Sequence, residues 1–251
     1  MFKTIINAFK TPEVRKKLIY TLILLVIFRL GCYITVPGVN TVILAEQMQA
    51  ATGSILGLIN TISGGAFSNL SVFAMTVTPY ITASIVLQLL GWIIPSLERM
   101  MKEGGTEGRE KINKYTKIIT IVLALIEATG IYLSYSSTGL FIHPGFLTGC
   151  MVVLSLVTGT AVLMWLGDQI TNKGIGNGIS VIIFAGIVSS LPQGVVTLWN
   201  LIMPVTGFST VGLITAIAII LGAVFLVAGV VFVQQAERRI PIQYAKRVVG
   251  R

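Results

Sequence analysis

Few residues in this chain could do chemistry. The single histidine, His143, stands before Pro144 without the neighbours that a metal site or a general base would need. Cys32 and Cys150 both lie in apolar runs, with neither metal-type spacing nor a disulfide framework, and read as packing residues. The glycine-rich KGIGNGIS at residues 173–180 raises a phosphate loop and then fails its test. That motif needs Lys followed by Ser or Thr after its last glycine, and G-x-G-x-x-G is absent as well. The same residues fit a short turn in which Asn177 and Gly178 start a helix by capping its free amides. With no Ser-His-Asp set, carboxylate pair or metal cluster, neither an enzyme nor a bound cofactor is expected. Two charges call for a different chemistry. Arg29 and Glu127 sit inside long apolar runs, where an ionisable group needs water, a partner or neutralisation.

The elements that position these residues are set by composition. Of 251 residues, 54% are hydrophobic and only 11% charged, and the mean hydropathy is +0.89, far from the ~25% charged of soluble domains. Apolar runs at 18–36, 72–94, 118–133, 149–166, 175–191 and 211–233 are each about long enough to cross a bilayer as a helix. Six spans are therefore expected. The net charge of +9 is topological: with the amino terminus inside, all of the 18 Lys and Arg except Arg29 fall on inner segments, so both termini are expected in the cytoplasm. Specific DNA binding is not expected, because the basic residues follow topology rather than one packed face. Phe2, Ile5, Ile6 and Phe9 recur at helical spacing between lysines, as in a short helix on the membrane surface. A secretory signal peptide is set aside because no A-x-A site follows and five more runs come after. Arg29 costs about 2.5–3.5 kcal/mol at mid-membrane, which its Leu, Ile, Val and Phe neighbours offset, and it is expected to point into the bundle or to snorkel.

One stretch does not fit a simple span. Residues 60–70 combine Gly64 and Gly65 with polar Asn60, Thr61, Ser63, Ser68 and Asn69, whereas residues 72–94 are long enough to span yet carry Thr76, Thr78, Pro79, Thr82, Ser84 and Gln88. Irregular backbone at membrane depth is tolerated only where protein encloses it or it lines a watery cavity. The stretch is expected to be folded back into a channel. The charged residues 96–117 read as a solvated inner connection, and residues 41–57, with Glu46 as their only charge, as an outer one.

The motifs SGGAFSNLSVFA, PYITASI, EGREKINKYTK, SLVTGTAVLMWLGDQIT, GIGNGIS with VIIFAGIV, and RRIPIQYAKR occur in order over nearly the whole chain and resemble the SecY family of bacterial protein-translocation channel subunits. The resemblance implies an all-α polytopic bundle of six transmembrane helices with a short re-entrant plug helix, forming the first half of a pseudo-two-fold channel. It implies a plug made of Asn60, Thr61, Ser63, Gly64, Gly65, Ala66, Phe67, Ser68, Asn69 and Leu70. Ile81 and Ile85, with Ile183 and Ile187, match members of a hydrophobic pore ring, whose branched apolar side chains would form a dewetting constriction. By spacing alone these isoleucines would be ordinary packing. Thr82, Gln88 and Glu127 are lateral-gate candidates on the second and third spans, which match one edge of that gate. The family's usual residue at 127 is an uncharged amide, so Glu127 departs from it, and a gate role and a protonated packed carboxyl both stay open.

Arg109, Lys111, Lys114, Arg238, Arg239, Lys246 and Arg247 are candidate cytoplasmic contacts with partners, expected to be SecE, SecG, SecA, a translating ribosome, signal peptides, unfolded client proteins and membrane lipids. The implied organisation is an amphipathic cytoplasmic segment (1–17), a five-span half including the plug (18–205), and a sixth span leading into a basic loop (206–251) in the bacterial plasma membrane. The expected function is passage of unfolded polypeptide and sideways release of hydrophobic segments, this chain supplying about half of the channel. A secondary transporter with broken helices and a non-conducting membrane scaffold are the rival readings.

Overall fold

The structure, a computed structural model, describes residues 11–50, 57, 60, 63–102, 104–204, 207 and 209–237. The expected amphipathic amino-terminal segment, Thr61, and the basic stretch with Arg238, Arg239, Lys246 and Arg247 lie outside the described residues. Eight helices are defined among the described residues: α1 Pro12–Gly31, α2 Thr41–Ala50, α3 Thr78–Ile93, α4 Pro95–Lys102, α5 Gly105–Ser136, α6 Phe146–Lys173, α7 Gly178–Ile202 and α8 Thr210–Gln234. No strand is among them, only isolated bridges pairing Thr35 with Ser71 and Val39 with Phe141. The chain forms two compact units, Met1–Leu191 and Pro192–Arg251, with α7 running through the division and Pro192 inside it.

α5, α6, α7 and α8 are each long and apolar enough to cross a membrane, and α3 with α4 adds a fifth candidate bent by 107°. The chain is thus a multi-pass membrane protein. The six expected spans are not all reproduced on these criteria. α1 is 20 residues long, but Glu13, Arg15, Lys16, Lys17 and Arg29 leave it a shorter apolar stretch. The second span is shorter than expected. Residues 72–77 are turns, helix begins only at Thr78 with Pro79 in its first turn, and it stops where Ile94 adopts an extended conformation before Pro95. A residue preceding proline is pushed out of the helical region, which accounts for the bend.

The charged run expected as a solvated connection is helical instead. α4 and the first turns of the 32-residue α5 take it up, with Glu98 to Lys102 at 2.6 Å and Glu107 to Lys111 at 2.7 Å, each pair an acid four residues before a base. The reversal between these helices needs glycine: a Cβ on Gly104 would sit 2.5 Å from the Met100 carbonyl oxygen, and one on Gly108 would strike the same atom. The outer connection at 41–57 likewise contains α2, whose start is capped by Asn40 Oδ1 accepting from the Val42 amide at 3.1 Å.

In the first unit residues 63–77 act as a wedge. Phe67, Leu70, Ala74 and Met75 join Val36, Leu44, Ala124, Ala128, Leu140, Phe141, Val152 and Leu156 in one core. Ala66, Phe73 and Val77 join Leu24, Phe28, Cys32, Leu163, Leu166, Ile170 and Ile182 in a second. α6 lies along both, and its Gly159 lets the Val72 backbone approach so closely that a Cβ there would lie 2.7 Å from the Val72 carbonyl carbon. Backbone bonds from Val36 N to Leu70 O (3.1 Å) and Val72 N to Ile34 O (2.9 Å) tie the wedge to the residues following α1. In the second unit, Ser209 Oγ accepts from Gly212 N at 3.1 Å to start α8, whose apolar side chains are almost all exposed.

Candidate functional site: a re-entrant turn segment inside the bundle

The segment expected to form a plug helix, 60–70, is built of turns over its described residues 63–70, and turns continue to 77, although Asn60 itself is helical. Gly64, Gly65, Leu70 and Thr76 all have positive φ, which no continuous right-handed helix accommodates. The turns are held from within. Ser63 Oγ donates to Asn60 O at 2.8 Å and accepts from Phe67 N at 3.1 Å, Asn60 Oδ1 accepts from Ser68 N at 2.8 Å, and Ser68 Oγ donates to Gly65 O at 2.8 Å. Backbone bonds from Gly65 N to Asn60 O (2.9 Å) and Ser71 N to Ala66 O (3.0 Å) complete the set. The polar residues that disqualify this stretch as a lipid-facing helix therefore satisfy its irregular backbone. Ser63, Ala66 and Leu70 are fully buried, whereas Ser68 and Asn69 are half-buried.

Arg29 reaches this segment from α1. Its Nη1 donates to Gly64 O at 2.8 Å and its guanidinium stands 5.7 Å from the centre of the Tyr33 ring, so of the two expected placements, inward or snorkelling, it takes the inward one. Glu127, on α5, is half-buried and lines a cavity of about 540 Å³ with Phe67, Ala74, Met75, Thr78, Gly130, Ile131, Ser134 and Tyr135. This cleft joins the turn segment, the start of α3 and one face of α5. Its α5 members were readable in advance, since 127, 130, 131, 134 and 135 recur at helical spacing and therefore share a face.

Of the other gate candidates, Thr82 Oγ1 donates to Thr78 O at 3.1 Å and Gln88 Nε2 to Ser84 Oγ at 3.4 Å, both on the exposed surface of α3. Neither lines the cavity. The ring candidates are not gathered into either core. Ile81, Ile85 and Ile187 are exposed, while Ile183 is half-buried at the margin of the second core. Arg109, Lys111 and Lys114 are exposed on the charged start of α5. The KGIGNGIS turn forms as expected: Gly176 has φ +74°, and Asn177 Oδ1 accepts from the amides of Ile179 (3.1 Å) and Ser180 (3.3 Å) at the head of α7. Cys32 is buried as packing, but Cys150 is exposed on α6, contrary to the expectation for it. His143 lies in the loop before α6, its carbonyl accepting from Thr148.

Known proteins share this architecture and sequence. Solved structures of Sec61 in the canine ribosome-channel complex from the endoplasmic reticulum and of a protein conducting channel match with TM-scores of 0.62 and 0.63. Both are 22% identical, covering 94% and 93% of this chain and 53% and 52% of theirs, which speaks to the fold. Protein translocase subunit SecY of Halalkalibacterium halodurans is 44% identical over 255 residues, with 100% of this chain and 58% of the relative covered. That of Aquifex aeolicus is 45% identical over 249 residues, with 97% and 57% covered. The chain thus spans about three-fifths of the length of the curated relatives it matches. The sequence profile named SecY matches residues 71–251, so that the turn segment, the long apolar helices and the capped glycine turn find one common explanation: the chain belongs to the SecY family.

Proposed function

We propose that this chain is part of a protein-conducting channel, and that residues 60–70 are its plug. The observation that carries the reading is the wedge: an irregular, internally hydrogen-bonded segment, lodged between two cores inside a bundle of membrane-length helices, is what a removable stopper requires. In this reading unfolded polypeptide passes along the faces of α3 and α7 that carry Ile81, Ile85, Ile183 and Ile187, exposed or half-buried branched residues suited to a dewetting collar. Hydrophobic segments leave sideways past α3 and α5, where Thr82, Gln88 and the cavity at Glu127 lie. The remaining wall comes from residues outside these 251. The chain divides as a cytoplasmic segment 1–17, a five-span half 18–205 and a sixth span with a basic loop 206–251, in the bacterial plasma membrane with both termini cytoplasmic. Driving energy comes from SecA or a translating ribosome docking on basic residues including Arg109, Lys111 and Lys114, with SecE and SecG as neighbours.

Planar-bilayer recording of the assembled channel with residues 60–70 deleted tests the proposal. An increased ion conductance supports a plugged channel, and an unchanged conductance contradicts it.

A further inference from the structure

Arg29 is a charge within the apolar part of α1, and its hydrogen bond to Gly64 O spans two segments far apart in sequence. The turn at Gly64 is also enclosed from α7: a Cβ on Gly64 would lie 2.7 Å from Arg29 Nη1, 2.6 Å from Ser189 Oγ and 2.8 Å from Gly186 O. Gly64, whose carbonyl accepts from Arg29, has a positive φ (+62°), a conformation that glycine adopts without strain. A guanidinium in an apolar layer is costly when unpaired and favours a carbonyl acceptor, so seating the turn segment and satisfying Arg29 are one event.

We propose that Arg29 is a positioning residue that latches the re-entrant segment in its seated state, through the Gly64 carbonyl, and that unseating the segment requires this bond to break. Ala66, two residues beyond Gly64, is fully buried, so its exposure reports unseating. The inference rests on the channel reading for its consequence, but the contact itself can be tested whether or not the chain conducts.

The test is the rate of maleimide labelling of Ala66→Cys in membranes, in a background carrying Cys32→Ala and Cys150→Ser, with Ala216→Cys, buried on α8 and in neither core, as the control. Arg29→Gln, which removes a charge from the span and so does not hinder insertion, is expected to raise Ala66→Cys labelling by about tenfold or more, the scale of one charge-assisted hydrogen bond. Gly64→Ala, which displaces the same carbonyl, is expected to do likewise. The double variant should label no faster than the faster single one, because both break one contact, and Ala216→Cys should not change. An unchanged Ala66→Cys rate in Arg29→Gln, additive effects in the double variant, or an equal rise at Ala216→Cys would overturn the latch.

Discussion

Replacing Ser63 by alanine should loosen the turn segment more than any other single hydroxyl deletion within it. Ser63 is fully buried, and its Oγ makes two bonds, donating to Asn60 O and accepting from the buried Phe67 amide. The losses are unequal. Asn60 O keeps the Gly65 amide at 2.9 Å, whereas no other acceptor for Phe67 N is found among the described residues. An orphaned buried amide costs about 1–3 kcal/mol, and a central value of about 2 kcal/mol corresponds to a local opening about 30-fold more frequent. Ser68→Ala is the comparison. Its hydroxyl is half-buried and donates only to Gly65 O, while its own amide is held separately by Asn60 Oδ1, so a loss of about 1 kcal/mol or less is expected. Hydrogen exchange of the peptide covering residues 63–71, followed by mass spectrometry in lipid nanodiscs, reads both. Faster exchange by about 30-fold in Ser63→Ala and by less than tenfold in Ser68→Ala is expected. Equal effects, or a Ser63→Ala rate within threefold of the parent, would refute the view that this hydroxyl supports the turn.

Gly159→Ala should destabilise the first unit by about 1–3 kcal/mol in a denaturant titration, because the new methyl meets the Val72 backbone rather than a yielding side chain; a loss below about 0.5 kcal/mol would show that the helix and the turn segment are not in that contact. Asn177→Ala should cost about 1 kcal/mol by removing the acceptor for the Ile179 and Ser180 amides, whereas Asn177→Asp should be nearly silent in the same titration. Cysteine labelling from either side of the membrane should find Glu46, Thr138 and Phe208 outside and Lys111, Lys173 and Lys246 inside, and an outside Lys111 would overturn the proposed topology.

Where the sequence was legible, a local rule decided. Asn177 and the glycines around it announce a cap and a turn, and both form. The polar, glycine-rich residues 60–70 could not face lipid, and among those described Ser63, Ala66, Phe67 and Leu70 are buried and the others half-buried. Other features depended on competing or long-range effects. The boundary between charge and apolarity at residue 117 reads as the end of a loop, yet backbone hydrogen bonding ignores that boundary, and α5 runs unbroken across it from Gly105 to Ser136, with Glu107 and Lys111 paired near its start. Pro95 hinted at the break in the second span, which bends there by 107°, but the reversal that follows, from α4 into α5, needs Gly104 and Gly108 to let α5 return past Met100. A plug helix was expected where positive φ at Gly64, Gly65, Leu70 and Thr76 enforces turns, and the two non-glycine cases leave no mark in sequence. Arg29 was readable as inward-pointing or snorkelling, but its acceptor, 35 residues away, emerges only from the packing of α1 against the turn segment.

In the proposed channel, polypeptide passes beside α3 and α7. A photo-crosslinking amino acid placed singly at Ile81, Ile85, Ile183 or Ile187 of the assembled channel, with a translocating polypeptide arrested in transit, tests it directly against a control at exposed Val122 on α5. Crosslinks to the arrested chain from the four isoleucine positions and none from Val122 are predicted. Crosslinks from Val122 with none from any of the four isoleucines would contradict the account.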